Sequence, residues 1–182
     1  MKFTTTSIDG LLLIEPQIFT DSRGYFFESY SKTKFAGAGL DIDFVQDNQS
    51  FSAKNSVRAL HAQANPHAQA KLVRVIQGSV LDVAVDIRKN SPTYGKFETF
   101  ELSSKNQIQL FIPQGFLHGF IALEDDTIFT YKVNNYYSKD CEIGIKWNDP
   151  TLNINWGISE AEALVSPKDM VLPEFKDFVS PF

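Results

Sequence analysis

The sequence predicts a mainly β fold, a sandwich or barrel built from many short strands. From residue 44 to residue 133 one strand-like segment follows another, and turn signals separate them at roughly regular spacing. Within residues 81–88, large aliphatic side chains alternate with small or charged ones, at the period of two that marks a half-buried strand. Asp82 and Asp86 fall on the polar side of that alternation. The chain also contains 16 Phe among its 182 residues, a composition that favours strands over helical bundles.

Taken in order, the elements begin with a turn at residues 21–24 between two strands and a short helix within 31–40, ended by Gly37 or Gly39. Further turn signals punctuate the strand-rich region at Gly78, 91–95, 103–106, 113–115 and 124–126. A chain of this size suits the jelly-roll, or double-stranded β-helix, barrel of cupin type with a few short helices.

The last third of the chain is less regular. Residues 159–164 predict the start of a short helix, with Ser159 as N-cap and Glu162 at the capping-box position. The proline-containing tail is expected to wrap the barrel rather than add strands to it. No repeat, low-complexity segment or linker interrupts the sequence, so residues 1–182 are expected to form a single domain.

Composition excludes several classes of protein. The net charge of −5, with both signs mixed along the chain, argues against nucleic-acid binding. Cys141 is the only cysteine, which excludes an intrachain disulfide and a cysteine-based zinc site. The apolar run at 11–14 is too short for a signal peptide, and no stretch approaches the length of a membrane span. A cytoplasmic protein without membrane association is the expectation.

Four polar residues stand out in the strand-like segments: His61, Lys71, His118 and Tyr131. Two imidazoles, an ammonium and a phenol can move protons without a metal or a redox cofactor. If these side chains point into one cavity, the protein is an enzyme that transfers protons on an activated carbon acid.

His61 lies in the segment 56–63, where strand alternation places Ala59, His61 and Gln63 on one face. The small Ala59 and Ala62 are expected to leave room beside the imidazole. A hydrogen-bonded core histidine is the alternative for any single His. Two of the three histidines lie in strand-like segments, which favours a functional role.

Lys71 and Tyr131 each share a strand face with apolar neighbours. For Lys71 a position at the barrel rim, with the ammonium reaching outward, is slightly favoured over one inside. An ammonium inside a barrel requires an anion or a developing oxyanion in front of it. Tyr131 shares its face with Phe129 and is expected to point inward, either as an acid or as a packed tyrosine.

The histidine pattern disfavours a metal site. A metal-binding cupin needs two histidines separated by one residue, followed by a carboxylate and a further histidine. Gln63 occupies the place of the second histidine, no Glu follows closely, and His67 lies in a loop-like stretch. No metal and no cofactor are expected.

Two arginines, Arg23 and Arg58, are candidate phosphate clamps, because a guanidinium binds phosphate oxygens bidentately. Near Arg23 the segment 19–30 is crowded with aromatic residues that can hold a nucleobase or form plain core: Phe19, Tyr25, Phe26, Phe27 and Tyr30. Composition and spacing alone lead no further than a β-barrel with a candidate polar pocket.

Eight ordered blocks together resemble the dTDP-4-dehydrorhamnose 3,5-epimerase family: DSRGYFFESY (21–30), FVQDNQS (44–50), SVRALHAQ (56–63), AKLVRVIQGSVLDVAVDIRKNSPTYG (70–95), IPQGFLHGF (112–120), YKVNNYYS (131–138), IKWNDP (145–150) and SPKD (166–169). The resemblance runs through almost the whole chain. It implies a cupin-type homodimer that acts without a metal on a dTDP-linked 4-keto-6-deoxyhexose.

The resemblance also implies roles for individual residues. His61 is the implied base, with Asp169 as its dyad partner, and Tyr131 is the implied acid across the sugar ring. Lys71, helped by His118, is implied to stabilise the enolate. Arg58, with Arg23 donated by the partner subunit, is implied to grip the diphosphate. The remaining positions implied to contact sugar or nucleotide are Phe26, Glu28, Gln46, Asn48, Tyr136, Glu142 and Lys168.

The implied activity inverts C3 and C5 of dTDP-4-dehydro-6-deoxy-D-glucose to give dTDP-4-dehydro-L-rhamnose, in dTDP-rhamnose and surface-polysaccharide biosynthesis. One departure is Ala62, where the family usually has Phe; it changes the pocket shape or the packing of the strand. The alternatives are a single-centre epimerase of another nucleotide-linked 4-keto sugar, a non-catalytic sugar-nucleotide-binding cupin and, more distantly, a metal-dependent dioxygenase.

Overall fold

A computed structural model describes all 182 residues. The chain forms fourteen strands: β1 Lys2–Thr5, β2 Leu12–Glu15, β3 Phe19–Asp21, β4 Gly24–Phe26, β5 Gln46–Ser52, β6 Ser56–Gln63, β7 Lys71–Gln77, β8 Ser79–Asp86, β9 Phe97–Ser103, β10 Gln109–Ile112, β11 Phe116–Ala122, β12 Thr127–Val133, β13 Glu142–Gly144 and β14 Leu164–Val165. The helices are α1 Lys32–Gly37 and α2 Pro167–Met170, with single 3₁₀ turns at Lys139–Cys141 and Phe175–Asp177.

Two sheets, antiparallel except for the pairing of β14 with β6, make up the body of the protein. The first runs in the order β1-β2-β10-β7-β12-β5, and the second in the order β13-β6-β11-β8-β9 with β14 alongside β6. Val73 and Phe129 of the first sheet and Ala84 and Phe116 of the second belong to one buried apolar cluster, so the two sheets face each other across a common core. The predicted mainly β, cupin-type jelly-roll fold is confirmed.

A second apolar cluster covers the other face of the second sheet. There Val83 and Val85 are buried together with Trp147 and Trp156 from the C-terminal part of the chain. The indole of Trp156 donates through Nε1 to the carbonyl oxygen of Trp147, at 2.7 Å. Phe182 packs on the same cluster while its carbonyl accepts a hydrogen bond from Lys89. The prediction that the tail wraps the barrel is confirmed.

Strand β8 differs from the prediction, because both of its faces are buried. Val80 and Ala84, on the face of β8 that carries the aspartates, are buried against residues of the first sheet, so this face cannot reach solvent. Asp82 and Asp86 are both fully buried. Asp86 is stabilised by hydrogen bonds from Arg88, Ser91 and Thr93. The prediction of a half-buried strand at 81–88 is wrong because neighbours distant in sequence cover the polar side.

The predicted helix at 159–164 does not form. Its capping contact is present, since the backbone N–H and Oγ of Ser159 both donate to the carboxylate of Glu162, at 3.0 and 2.7 Å. The chain makes one turn and then pairs in parallel with β6, where the N–H of Leu164 donates to the carbonyl of Asn55. Pairing with a sheet edge therefore replaces the local helical preference.

Two local predictions near the N-terminus are confirmed. The turn at 21–24 joins β3 and β4, which pair with each other as a separate hairpin. Helix α1 follows Ser31 and ends at Gly37. Its buried Phe35 packs edge-to-face against Phe3 and Tyr30, which fixes the helix against the first sheet.

Candidate active site

A cavity of about 490 Å³ opens between the two sheets. Its ionisable lining residues come from both sheets and from α2: Arg58, His61, Lys71, His118, Tyr131, Glu142, Lys168 and Asp169. The four polar residues singled out by residue type therefore do converge on one cavity. Ser50 also lines it, and its buried hydroxyl has no hydrogen-bond partner within the protein.

An irregularity between β6 and β11 places Arg58 and His61 in the cavity together. His118 pairs with His61 and Phe120 with Arg58, so three residues of β11 face four of β6. Ala59 and Leu60, which lie between these two pairings, are buried in the second apolar cluster, with Trp147 and Trp156. Strict alternation would have separated Arg58 from His61.

The prediction that Ala59 shares a face with His61 and leaves room beside its imidazole is therefore wrong. Ala62 is likewise part of the second apolar cluster and does not line the cavity. Its replacement of the family's usual Phe affects the packing behind β6. Gln63 is buried, and its amide oxygen accepts a hydrogen bond from the backbone of Ser138.

His61 and Asp169 form a hydrogen-bonded pair in the cavity. The Nε2 of His61 lies 2.7 Å from Oδ1 of Asp169. Asp169 stands in the first turn of α2, where its N–H donates to Oγ of the N-cap Ser166 at 3.2 Å. An ionised Asp169 holds the proton of the neutral imidazole on Nε2, which leaves a lone pair on Nδ1. The pair thus has the arrangement of a general base and its orienting carboxylate.

Lys71 lies in the cavity wall, opposite to the slightly favoured expectation of a rim position. Its Nζ approaches the carbonyl oxygen of His61 at 3.4 Å. Burial lowers the pKa of Lys71 to about 8, although the negative charges of Asp82 and Glu142 oppose that shift. An ammonium so placed is a ready partner for a developing oxyanion.

His118 is buried, and its Nε2 lies 2.8 Å from Oδ2 of Asp82. Burial lowers the pKa of this imidazole, and Asp82 counteracts the effect. Asp82 was not predicted as a site residue. The signal that identifies it is the strand order, which places β8 beside β11, and that order is absent from any local pattern.

Tyr131 points into the cavity as predicted, packing beside Phe129. Burial raises the pKa of its phenol, so the group stays protonated near neutral pH, while the positive charge of Arg58 partly opposes the shift. A protonated phenol with a cation nearby can give up a proton and tolerate the charge that results.

Arg58, Glu142 and Lys168 complete the polar lining. The Nε of Arg58 donates to Oγ of Ser52 at 3.1 Å, which orients the guanidinium. Glu142 forms an ion pair with Lys168 and accepts a hydrogen bond from the phenol of Tyr137 at 2.8 Å. These contacts hold one carboxylate and two cations at the wall of the cavity.

Six of the predicted ligand-contacting residues lie outside the cavity of the single chain. Arg23 stands on the β3–β4 hairpin with its side chain 87% exposed and pairs with Asp21 at 2.5 Å. The others are Phe26 and Tyr136, both exposed, Glu28, paired with Lys34, and Gln46 and Asn48, joined to each other on the edge strand β5. The structure does not bring these six together with His61.

The structure contains no group of three or more His, Cys, Asp or Glu side chains placed to hold a metal ion. None of its helices combines the length and the apolar character that crossing a membrane demands. His67 lies in a loop, where its Nδ1 is 3.1 Å from the carbonyl oxygen of Tyr136.

Comparison with known proteins agrees with the fold. A family model described as dTDP-4-dehydrorhamnose 3,5-epimerase matches residues 5–177. The chain is 48% identical over 178 residues to the dTDP-4-dehydrorhamnose 3,5-epimerase of Shigella flexneri, covering 97% of both proteins.

Solved structures give the same result. The dTDP-4-dehydrorhamnose 3,5-epimerase of Elizabethkingia anophelis superposes with a TM-score of 0.93 at 47% identity, covering 97% of each chain. The dTDP-6-deoxy-D-glucose-3,5-epimerase of Legionella pneumophila, in complex with dTDP-4-keto-L-rhamnose, superposes with a TM-score of 0.93 at 41% identity, covering 98% of this chain and 94% of that one. The resemblance found in the sequence blocks is confirmed, and the chain belongs to the dTDP-4-dehydrorhamnose 3,5-epimerase family.

Proposed function

We propose that this protein inverts C3 and C5 of dTDP-4-dehydro-6-deoxy-D-glucose and yields dTDP-4-dehydro-L-rhamnose, as a step of dTDP-rhamnose and surface-polysaccharide biosynthesis. The observation that carries the proposal is the convergence of the His61–Asp169 pair, Lys71 and Tyr131 on one cavity. The names of the relatives support the choice of substrate.

The reaction begins with removal of a proton from carbon. The 4-keto group acidifies the hydrogens on its neighbours C3 and C5, and Nδ1 of His61 accepts one of them. The Nε2–H of the resulting imidazolium donates to Asp169, 2.7 Å away, so the new positive charge is stabilised where it forms. Loss of the proton converts the ketone into an enolate.

The enolate oxygen carries the negative charge, and Lys71 is the group that stabilises it. Its ammonium lies in the cavity wall beside His61, so the base and the oxyanion partner face the same part of a bound sugar. Stabilisation of charge that exists only in the intermediate and its transition states lowers the barrier more than it strengthens ground-state binding. His118 lines the same wall and assists Lys71.

Tyr131 returns a proton to the opposite face of the ring. Its phenol remains protonated because burial raises its pKa, and Arg58 favours the phenolate that forms on proton transfer. Solvent then reprotonates Tyr131 and accepts the proton from His61. The same sequence at the second carbon completes the double inversion, and no cofactor is consumed.

We propose that binding of the nucleotide uses residues of two chains, and therefore that the protein is a homodimer. Arg58 lies in the cavity as one phosphate clamp, whereas Arg23 stands on the exposed β3–β4 hairpin. Three aromatic side chains of that hairpin are also more than half exposed: Phe19, Tyr25 and Phe26. A partner hairpin that enters the cavity mouth would bury these rings and place its Arg23 against the diphosphate.

Product analysis tests the proposed function. Purified protein is incubated with dTDP-4-dehydro-6-deoxy-D-glucose, the mixture is reduced with borohydride and hydrolysed, and the 6-deoxy sugars are separated. Double inversion gives rhamnose and 6-deoxytalose of the L series. Sugars inverted at C3 alone or C5 alone would instead support a single-centre epimerase, and recovery of only the sugars derived from the substrate would support the binding protein.

Replacing Tyr131 by phenylalanine is expected to impair completion of the epimerisation more than the first proton loss. The variant keeps the ring that packs on Phe129 but lacks the phenolic proton. In D₂O, exchange at the carbon acid should therefore persist while product formation falls by about 10²- to 10⁴-fold. Equal loss of exchange and product formation would argue against the role of Tyr131 as the acid.

The value of kcat/KM is expected to decline as the pH rises through about 8, because Lys71 then loses its proton and its positive charge. The rate falls rather than rises with pH because the ammonium form of Lys71 stabilises the enolate and the neutral amine does not. The dependence of kcat/KM on pH reports groups of the free enzyme and is the measurement to make. A kcat/KM that stays constant well above that pH would contradict the assignment of Lys71.

A further inference from the structure

Asp82 is a buried carboxylate for which the proposed mechanism has no use. It is fully buried on β8, and Oδ1 has no hydrogen-bond partner within the protein. Its other oxygen, Oδ2, meets Nε2 of His118 at 2.8 Å. An unsatisfied carboxylate oxygen in the interior costs free energy, so a structural role alone is a poor explanation for Asp82.

The position of Asp82 relative to the cavity is definite. In the pairing of β8 with β11, His118 faces Ala84 and Asp82 faces Phe120, so Asp82 reaches His118 diagonally on the inner side of the sheet. His118 and Phe120 line the cavity, whereas Asp82 does not. Asp82 therefore lies behind His118 as seen from the cavity. It acts on the cavity through its contact with His118 and through its own negative charge.

We infer that Asp82 is a positioning residue of the epimerase. It holds His118 through Nε2, and its negative charge favours the cationic form of Lys71 that faces the enolate. The inference rests on the proposed function, and it assigns to the reaction a second carboxylate–imidazole pair beside His61–Asp169.

The contact determines which nitrogen of His118 can meet the substrate. An ionised Asp82 accepts the Nε2–H, so Nδ1 is the nitrogen left without a partner within the protein. In the neutral ring Nδ1 only accepts a hydrogen bond, from the Lys71 ammonium or from a sugar hydroxyl. It donates to an enolate oxygen only when the ring is protonated, the form that Asp82 favours.

The charged and titratable groups around Lys71 define the direction in which its pKa changes when Asp82 is replaced. Those facing the cavity are Arg58 and His61 of β6, His118 of β11, Tyr131 of β12, Glu142 of β13, and Lys168 and Asp169 of α2. Asp82 is the first of the two anions that raise the pKa of Lys71, and Glu142 is the second. Loss of the Asp82 charge therefore lowers the pKa of Lys71.

The test is Asp82→Asn, which keeps the size of the side chain and removes its charge. We expect kcat to fall by up to about 10²-fold with little change in KM, because the cationic wall acts in the reaction rather than in binding. The alkaline limb of the pH profile, the range in which kcat/KM declines as the pH rises, should move to lower pH. Asp82→Ser, which leaves room for water, replaces the asparagine variant if that one does not fold.

Asp86→Asn is the matched control. Asp86 lies on the same strand, is equally buried and binds Arg88, Ser91 and Thr93 outside the cavity. This variant should lose stability while the position of its alkaline limb stays that of the wild type. A shift common to both variants would reveal a general effect of losing a buried carboxylate and would overturn the inference.

A second readout separates this inference from the proposed function. NMR of protein carrying ¹³C-labelled lysine follows the titration of Lys71 without any substrate, and Lys71 should titrate at lower pH in Asp82→Asn. An unchanged titration, or an unchanged kcat and alkaline limb, would overturn the role of Asp82. A wild-type protein that does not turn over the 4-keto sugar would count against the proposed function, and the Lys71 titration would still decide the role of Asp82.

Discussion

The His61→Ala protein is expected to lose exchange of the C3 and C5 hydrogens of the substrate with solvent deuterium. His61 has an orienting carboxylate at 2.7 Å, and its side chain is 25% exposed, against 7% for His118, so it is the more accessible imidazole of the cavity. Removing a general base typically costs about 10²- to 10⁴-fold in rate, and the proposed base would start both inversions. The measurement is ¹H NMR of the 4-keto sugar nucleotide in D₂O.

His67→Ala is the control for that experiment. His67 lies in a loop outside the cavity and contacts only a backbone carbonyl, so its removal should leave the exchange rate unchanged. Ready exchange in His61→Ala, with the protein folded, would show that another group takes the proton.

The Gly119→Ala protein is expected to be strongly destabilised and nearly inactive. A Cβ on Gly119 would stand 2.3 Å from Cβ and 2.7 Å from Cα of Ala59, where β11 and β6 approach each other at their irregular pairing. Overpacking of this kind costs about 1–3 kcal/mol, occasionally more. Relief requires β6 to move, and β6 carries both Arg58 and His61 in the cavity.

A displacement of about 1 Å at a reacting group can cost about 10²-fold in rate, so the folded fraction of Gly119→Ala should also turn over slowly. Denaturant unfolding and kcat are the two measurements. Gly37→Ala is the control, because a Cβ there meets nothing within 4 Å, and α1 should gain about 0.5–1 kcal/mol. Wild-type stability and activity in Gly119→Ala would refute the close approach of the two strands.

The strand pattern was predictable where local sequence determines it. Turn residues and aliphatic alternation located most strands. Of the two glycines predicted to end α1, Gly39 takes the positive φ just after the last helical turn. The predictions failed where distant segments decide the outcome. Asp82 and Asp86 are buried because other segments cover the face of β8 that carries them, and residues 159–164 do not form a helix because β14 pairs with β6.

The candidate site was predictable in part and for identifiable reasons. Residue type and strand position selected His61, Lys71, His118 and Tyr131, and all four line the cavity. Asp169 came only from the family resemblance, since it lies 108 residues from His61 on a one-turn helix. Ala59 was misplaced because a break in strand pairing leaves no mark in a period-two pattern. The roles of these residues stay predictions until they are tested.

The most direct test of the epimerase assignment is the pattern of deuterium that the wild-type protein introduces into dTDP-4-dehydro-6-deoxy-D-glucose in D₂O. NMR of the product shows which carbons have lost their hydrogen. We expect deuterium at both C3 and C5, with the signals of the L-configured ketone. Deuterium at only one of these carbons would contradict the double inversion, and a sugar that retains both hydrogens would contradict the proton chemistry assigned to His61, Lys71 and Tyr131.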